Sequence, residues 1–234
     1  MKNFFYLLTL CFLTSTLIAW SLWREARSPL NLSSPDEVVE LVLSEDFENS
    51  SALKHFLIAT PDLGFTAGQD GVDPWRIDGG ELIAKNVHNA ALWLKTPLPE
   101  GDLRITFTAR ALSSEGDVKC EIFGDGQHHQ SGYILINGGW KNTIRAIARQ
   151  DEHGEDRKED RRCGQQRNCA PLNTFVEWTI ERRGETIRWY LDGELTLSYH
   201  DSKPLRGRYF AFNNWSVETR FDQLRVYRIK RSQE

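Results

Sequence analysis

The chain has 234 residues, of which 40% are hydrophobic, 26% charged and 11% aromatic. This is the composition of an ordinary globular protein, and it excludes a disordered or fibrous chain. The sequence has 29 Lys and Arg residues and 33 Asp and Glu residues, which gives a formal net charge of -4. Nucleic-acid binders usually carry a basic face, so we expect no nucleic-acid partner.

The chain begins with an apolar segment. Residues 4–23 carry no charge, and Lys2 and Arg24 flank them. A helix of this length spans about 30 Å, enough to cross a bilayer. Ala19 and Ser21 are small residues at the two positions that a signal peptidase reads. Residues 1–23 are therefore predicted to be a signal peptide or an uncleaved signal anchor, with a buried core helix as the alternative.

Export would place the rest of the chain in the periplasm, outside the cell, or on the outer side of a membrane that the first segment anchors. Residues 24–37 are predicted to be a tether, because Pro29 and Pro35 oppose regular structure. We expect the folded domain at residues 38–230 and a polar tail at residues 231–234.

Four cysteines bear on the compartment. Cys11 lies in the apolar segment. Cys163 and Cys169 enclose five polar residues, which predicts a local disulfide in an oxidising compartment, worth about 2 kcal/mol by loop-closure entropy. A zinc site would need closer cysteine pairs and a second pair. Cys120 occupies an apolar position of a predicted strand, so we expect a buried free thiol.

From residue 38 onward, apolar residues recur with a period of two, as at residues 103–110, 118–122 and 176–181. This period predicts strands with one buried face. The Asp192–Gly193 pair separates two such runs and predicts a type I′ hairpin. We expect about a dozen strands and no amphipathic helix. The predicted fold is an all-β, two-sheet antiparallel β-sandwich of jelly-roll type.

Residues 150–162 carry charged and polar side chains and no apolar residue. They are predicted to form a long surface loop, pinned by the Cys163–Cys169 disulfide. Two interpretations stay open. The loop is either a solvated connection or a segment that overhangs a binding face.

Five segments follow one another in an order that resembles a known superfamily. They are LVLSEDF at 41–47, WRIDG at 75–79, SGYILINGGW at 131–140, RWYLDG at 188–193 and FDQLRV at 221–226. The chain resembles the concanavalin A-like lectin/glucanase superfamily, in its laminin-G-like and keto-disaccharide-hydrolase-like bacterial branches. The resemblance covers roughly residues 38–229 and implies two curved sheets whose concave face often holds glycans. Members include lectins, hydrolases, lyases and non-catalytic modules, so the fold does not fix the function.

The best-known hydrolase branch carries Glu-x-Asp-x-x-Glu on one strand, and this run is not in the sequence. Glu177 and Glu181 share a strand face, but four residues of strand separate them by about 13 Å. Asp117 and Glu121 have the same spacing, with Lys119 between them. Glycosidase carboxylates lie about 5–5.5 Å or about 6.5–9.5 Å apart, so both pairs fail. A pair drawn from different strands stays open, and the catalytic residues are unassigned.

Arginines recur at the polar positions of the central strands. If those strands are neighbours, one sheet face presents guanidinium groups to the carboxylates or sulfates of an acidic glycan. The alternative is a set of cross-strand Arg–Glu pairs. The residues in question are Arg104, Arg110, Arg145, Arg149 and Arg188, with Tyr133 and Tyr190. Trp93, Trp178 and Trp189 are predicted to be core residues.

Aromatic and amide side chains occur together at strand ends, as sugar recognition requires. Two histidine interpretations are also open: His128 with Tyr133 as the base and acid of a lyase, and His153 with Asp151 and Glu152 around a divalent ion. No cofactor is otherwise expected. The predicted ligand-binding residues are Arg145, Arg149, Tyr133, Trp140, Asn137, Asn213, Asn214, Trp215, His128 and His153.

These observations predict an exported carbohydrate-recognition domain that binds an oligo- or polysaccharide on its concave face. One alternative is a glycoside hydrolase or polysaccharide lyase on the same fold. The other is a structural or interaction domain of the cell surface.

Overall fold

A computed structural model describes residues 36–60, 73–166 and 168–231 of the chain. The predicted signal peptide or anchor at residues 1–23, and most of the predicted tether, lie outside these ranges. Within the described ranges, no helix is both long and apolar enough to cross a membrane.

The described residues form a two-sheet antiparallel β-sandwich, as predicted. They contain fifteen strands rather than about a dozen, because strands of three residues are too short to display a period in the sequence. The strands are β1 (Glu37–Glu45), β2 (Phe56–Ile58), β3 (Trp75–Asp78), β4 (Glu81–Ala84), β5 (Leu92–Leu94), β6 (Leu103–Ala111), β7 (Val118–Gly124), β8 (Tyr133–Gly138), β9 (Ile144–Arg149), β10 (Lys158–Asp160), β11 (Val176–Arg183), β12 (Thr186–Leu191), β13 (Glu194–His200), β14 (Tyr209–Asn213) and β15 (Thr219–Arg231).

The first sheet has eight strands in the order β13-β12-β11-β6-β15-β4-β3, with β1 also paired to β15. The second has seven strands in the order β10-β9-β8-β7-β14-β5-β2. Three short helical segments lie between strands: two 3₁₀ turns at Ser50–His55 and Arg162–Gln166, and a left-handed turn at Gly139–Asn142. The jelly-roll prediction is confirmed.

Local turn chemistry explains two of the hairpins. Asp192 and Gly193 both have positive φ, 49° and 78°, as a type I′ turn between β12 and β13 requires. Gly79 and Gly80, at 62° and 76°, connect β3 to β4 in the same way. The hairpin predicted at Asp192–Gly193 is therefore confirmed.

Aromatic side chains fill the space between the sheets. Trp178 stacks on Phe107 at 5.1 Å between ring centroids and lies 4.6 Å from Trp189, and all three are buried. Trp93 is also buried, but it belongs to a small separate cluster with Ala59, Ala91 and Ala211. Cys120 is a buried free thiol in the main core, as predicted.

The outer face of the seven-stranded sheet is not a solvated surface. Ile134 and Ile136 alternate with the core residue Leu135, so their side chains lie on the outer face. Both are nevertheless buried, as are Ala146 and Ala148 opposite them on β9. Connections between strands therefore cover much of this face, and a cleft remains at one end.

The charged segment at residues 150–162 supplies part of that cover. The prediction that it is loop throughout is wrong at Lys158–Asp160, where β10 pairs with β9 at the sheet edge. An edge strand can be wholly polar because one of its sides faces solvent, so no apolar period marks it. The predicted disulfide between Cys163 and Cys169 is present directly after this segment.

Candidate functional site

A cleft of about 660 Å³ opens on the outer face of the seven-stranded sheet. Trp140 and Trp215 line it, from the β8–β9 and β14–β15 connections. Polar side chains line it between them, and three of these are Asp117, Lys119 and Glu152. Apolar walls with a few placed polar groups are the usual make-up of a ligand site.

A left-handed turn presents Trp140. Trp140, Lys141 and Asn142 have φ values of 50°, 60° and 63°, a conformation that costs L-residues roughly 1–2 kcal/mol each. The buried Asn142 side chain holds the turn. Its Nδ2 donates to the carbonyl oxygens of Ser114 and Ala170, at 3.1 and 2.9 Å, and its Oδ1 accepts from the Ala170 N–H at 2.7 Å. Strained backbone of this kind persists where the surrounding structure fixes it, often at functional sites.

The Trp140 ring is already packed by two cationic or titratable side chains. The guanidinium of Arg157 lies 4.4 Å from the ring centroid, and the His153 ring meets it edge-on at 5.5 Å. Trp140 remains 41% exposed. The ring is therefore held in place while part of its surface stays available to a ligand.

Trp215 is held through its backbone. Its N–H donates to Asp117 Oδ2 at 2.9 Å, and its carbonyl oxygen accepts from the His88 N–H at 2.6 Å. The His88 ring packs edge-on against the indole at 5.3 Å. Asp117 thereby connects the Trp215 wall to the start of β7.

The Lys119 ammonium lies at the centre of the polar cluster. Its Nζ is 3.0 Å from Glu152 Oε2, 3.1 Å from Asn89 Oδ1 and 3.8 Å from Asp117 Oδ1. Burial would lower the pKa of Lys119, but the charges of Asp117 and Glu152 outweigh it, and the pKa is raised. Lys119 is therefore protonated.

The two carboxyl groups beside Lys119 shift in opposite directions. Burial raises the pKa of Asp117 by more than the Lys119 charge lowers it. Burial also acts on Glu152, but the charge of Lys119 and its hydrogen bond outweigh that effect, so the pKa of Glu152 is lowered. Neighbouring groups with pKa values pushed apart are typical of acid and base pairs.

Glu121 lies deeper and is fully buried. Its carboxylate accepts from His129 Nδ1 at 2.5 Å, from the Gln130 N–H at 3.0 Å and from Asn213 Nδ2 at 3.0 Å. The β7–β8 connection supplies His129 and Gln130, so it folds back over the sheet. His129 Nε2 is buried with no hydrogen-bond partner among the described residues.

The structure brings together several of the sequence-predicted residues. Trp140, Trp215 and His153 all line the cleft. Asn213 lies beneath them on the buried Glu121, while Asn214 donates to Thr219 Oγ1 at 3.1 Å inside the protein. The aromatic and amide residues of two distant segments therefore meet at one site.

The predicted arginines lie elsewhere. Arg145 and Arg149 share the parity of the core residue Ile147, so they project from the inner face of the sheet. Arg145 donates to Asn137 Oδ1 at 3.0 Å and to the Cys169 carbonyl oxygen at 2.9 Å. Arg145 therefore also occupies the side chain of Asn137, another of the predicted ligand-binding residues.

Arg149 and Tyr133 both bind Asp201. Arg149 Nε donates to its carboxylate at 2.9 Å, and the Tyr133 hydroxyl does so at 2.6 Å. His128 is exposed beside Asp125 on a separate cavity of about 430 Å³. The predicted residues Arg149, Tyr133 and His128 therefore do not line the Trp140–Trp215 cleft.

The prediction of a single arginine face is wrong. Arg104, Arg110 and Arg188 belong to strands of the eight-stranded sheet, whereas Arg145 and Arg149 are on β9 of the other sheet. Arg104 is fully buried against Glu181, with 2.5 Å between the charged groups. Parity along a strand does not reveal which strands are neighbours, which is why the sequence suggested one face.

Sequence reasoning did not single out Lys119 as a site residue, and it rejected Asp117 on strand spacing alone. The available indication was the alternation of Asp117, Lys119 and Glu121 on the polar side of a predicted strand. Sequence reasoning also placed Glu152, but with His153 around a divalent ion. Within the described ranges, no group of three His, Cys, Asp or Glu residues is arranged to hold a metal.

No protein-family model and no curated protein matches the sequence. Solved structures do match. The laminarinase from Flavobacterium sp. UMI-01 superposes with a TM-score of 0.58 at 12% identity, covering 81% of this chain and 100% of that one. The laminarinase from Rhodothermus marinus gives 0.56 at 16% identity, covering 83% and 99%.

The chain has the concanavalin A-like jelly-roll fold. The CBM2 module of the Lactobacillus casei BL23 phage J-1 evolved Dit protein is also similar, with a TM-score of 0.52 at 12% identity, covering 85% of this chain and 99% of that one. Laminarinases and a CBM2 module thus share this fold with the chain at low identity. The likeness shows the fold alone, so function has to be argued from the site.

Proposed function

We propose that the protein is an exported glycan-binding protein that holds a neutral oligo- or polysaccharide between Trp140 and Trp215. The observation that carries the proposal is the pair of tryptophans lining one cleft together with a charged and amide cluster. Sugars offer C–H faces that pack on aromatic rings and hydroxyl groups that hydrogen-bond to carboxylates, amides and ammonium groups. The glycan-acting proteins among the structural neighbours support the same class of ligand.

The charges of the cleft favour a neutral sugar over the acidic one expected from the arginines. Three carboxyl groups and two ammonium groups line it, namely Glu115, Asp117, Glu152, Lys119 and Lys141. Lys119 already contacts two of those carboxyl groups. Glu115 balances the charge of Lys141, so the cleft holds no excess of positive charge that would attract an acidic sugar.

Export is supported by the Cys163–Cys169 disulfide, since disulfides persist in oxidising compartments. The apolar segment at residues 4–23 would direct the chain across a membrane or hold it there. Fractionation of cells that express the full chain should place the protein outside the cytoplasm.

Alanine substitution of the two tryptophans tests the binding site. We expect Trp140→Ala and Trp215→Ala each to weaken binding at least about tenfold, equivalent to about 1.4 kcal/mol, because a ring that packs on the ligand is lost. Isothermal titration calorimetry with laminarin and with cello-, xylo- and manno-oligosaccharides measures this. Phe175→Ala is the matched control, since Phe175 is 45% exposed and also packs against an arginine, outside the cleft.

Salt dependence separates the neutral from the acidic ligand. Binding of a neutral glycan should change little with ionic strength, whereas charge-assisted binding weakens as salt screens it. Binding that is lost in Arg149→Ala, falls with salt and is unaffected in both tryptophan variants would contradict the proposal. That result would support the acidic glycan predicted from the arginines.

A further inference from the structure

Two carboxyl groups in the cleft are close enough to act together on one bond. Lys119 Nζ lies 3.8 Å from Asp117 Oδ1 and 3.0 Å from Glu152 Oε2, so these two oxygens are at most about 7 Å apart. This bound includes the separation of about 5–5.5 Å found in retaining glycosidases and only the lowest part of the range of about 6.5–9.5 Å found in inverting ones. Asp117 precedes β7 and Glu152 follows β9, so the pair combines two distant parts of the chain.

Both groups are placed where a bound sugar could reach them. Each lines the cleft between the tryptophans, and their side chains are 17% and 12% exposed. Asp117 is biased toward its protonated form by burial, whereas Glu152 is biased toward its ionised form by Lys119. A retaining glycosidase needs this combination of a proton donor beside an ionised carboxylate.

A buried histidine lies close to this part of β7. The His129 side chain is 6% exposed, and its Nε2 has no partner among the described residues. Its Nδ1 is hydrogen-bonded to Glu121, which is two residues from Lys119 on β7. His129 itself does not line the cleft, so it is not among the residues that would contact the sugar.

We propose that the cleft hydrolyses glycosidic bonds with retention of configuration, using Glu152 as the nucleophile and Asp117 as the acid and then the base. The proposal rests on the proposed glycan binding. It does not use the same-strand carboxylate run of the hydrolase branch, which the chain lacks.

In the first step, a Glu152 oxygen bonds to the anomeric carbon, the glycosidic C–O bond breaks and the Asp117 proton passes to the departing oxygen. In the second step, water attacks the same carbon, the Asp117 carboxylate takes a proton from that water and the bond to Glu152 breaks. One water is consumed for each bond cleaved, and both residues return to their starting forms. Lys119 is a positioning residue, because its ammonium holds both carboxyl groups.

The test uses the full chain with every neutral glycan that calorimetry shows to bind. Release of reducing ends should be measurable for the wild type. It should fall at least about 100-fold in both Asp117→Asn and Glu152→Gln, since a positioned acid or base contributes 10²–10⁴-fold. Both variants should still bind the glycan, which shows that they are folded. Glu100→Gln, at an exposed carboxylate outside the cleft, should cleave at the wild-type rate.

Two further measurements distinguish chemistry from a structural role. The first product released from the wild type should have the configuration of the substrate, as seen by NMR. Sodium azide added to Glu152→Ala should restore bond cleavage and give a glycosyl azide of inverted configuration, because the small anion replaces the missing nucleophile in a single displacement.

Failure of the hydrolysis proposal and failure of the binding proposal give different experimental results. A glycan that binds the wild type but is never cleaved overturns the hydrolysis proposal and leaves the proposed binding function standing. Cleavage that is unchanged in Asp117→Asn or Glu152→Gln, or that inverts configuration, overturns the assigned roles. Failure of every glycan to bind overturns both proposals.

Discussion

At the scale of single residues, a side chain's partners decide its role more than its chemical type does. Tyr133 and Arg149 are both residue types that bind sugars, yet both are committed to Asp201. The Tyr133 hydroxyl also accepts from the Leu205 N–H at 3.0 Å. It therefore ties β8 to the connection that precedes β14, and its contribution should appear as stability.

The Tyr133 cluster gives a pH-dependent prediction. Burial, and then the bond to Asp201, raise the pKa of Tyr133 to about 12, compared with about 10 in an unfolded chain. Its stabilising effect is therefore full below pH 10 and is lost as the pH rises through about 12. The wild type should exceed Tyr133→Phe in free energy of unfolding at neutral pH, and the difference should shrink across that alkaline range.

Urea unfolding at a series of pH values measures this difference. Phe56→Leu, at a buried ring that cannot ionise, is the control and should show no comparable narrowing. A constant difference between wild type and Tyr133→Phe up to pH 12 would contradict the assigned role.

At the scale of elements, the left-handed turn at Gly139–Asn142 connects folding to the site. Its backbone carries Trp140 into the cleft, and the Gly138 carbonyl oxygen accepts from the Asp117 N–H at 2.9 Å. Both the position of Trp140 and the start of β7 therefore depend on this turn. Asn142 stabilises it with three side-chain hydrogen bonds.

Replacing Asn142 should affect stability and binding together. Asn142→Ala removes the three hydrogen bonds and puts alanine, which tolerates positive φ poorly, at this position. Together these two effects should cost about 2–4 kcal/mol of unfolding free energy. Glycan affinity should fall as well, because Trp140 loses its fixed position. Urea unfolding and calorimetry measure the two effects.

Asn173→Ala is a matched control for this change. Asn173 also has positive φ, 52°, but it is exposed and lies outside the cleft. It should cost less stability and leave glycan affinity unchanged. An Asn142→Ala variant with wild-type affinity would show that the turn does not position Trp140 for binding.

At the scale of elements, some features could be predicted from the sequence and others could not. The Asp192–Gly193 hairpin depends on two adjacent residues, and the Cys163–Cys169 disulfide on a short loop, so both could be predicted. The arginine face and the Asp117–Glu152 pair depend on which strands and connections become neighbours. That information is not local, because each strand's period reports its buried face and not its position in the sheet.

At the scale of the whole molecule, a layer of aromatic rings holds the two sheets together. Phe221 on β15 contacts rings from both sheets. Its centroid lies 6.2 Å from Phe107, 4.5 Å from Phe212 and 6.3 Å from Trp75. Because β15 pairs with β1, β4 and β6, damage at Phe221 should weaken the whole sandwich.

Phe221→Ala should therefore lower the free energy of unfolding by about 3–5 kcal/mol, the usual cost of removing a buried phenylalanine ring. Phe175→Ala makes the same chemical change at an exposed position and should cost about 0.5 kcal/mol or less. Chemical denaturation of both variants checks the comparison. Equal losses would mean that the inter-sheet aromatic layer does not dominate stability.

The connection between β9 and β10 has a consequence for how this protein could diversify. One short stretch supplies Glu152, His153 and Arg157, and it begins and ends on strands that pair with each other. Exchanging this stretch would leave the inter-sheet aromatic layer intact. New ligand preferences could therefore arise, in evolution or in the laboratory, by replacing one hairpin connection while Lys119 remains as a fixed anchor for the incoming carboxylate.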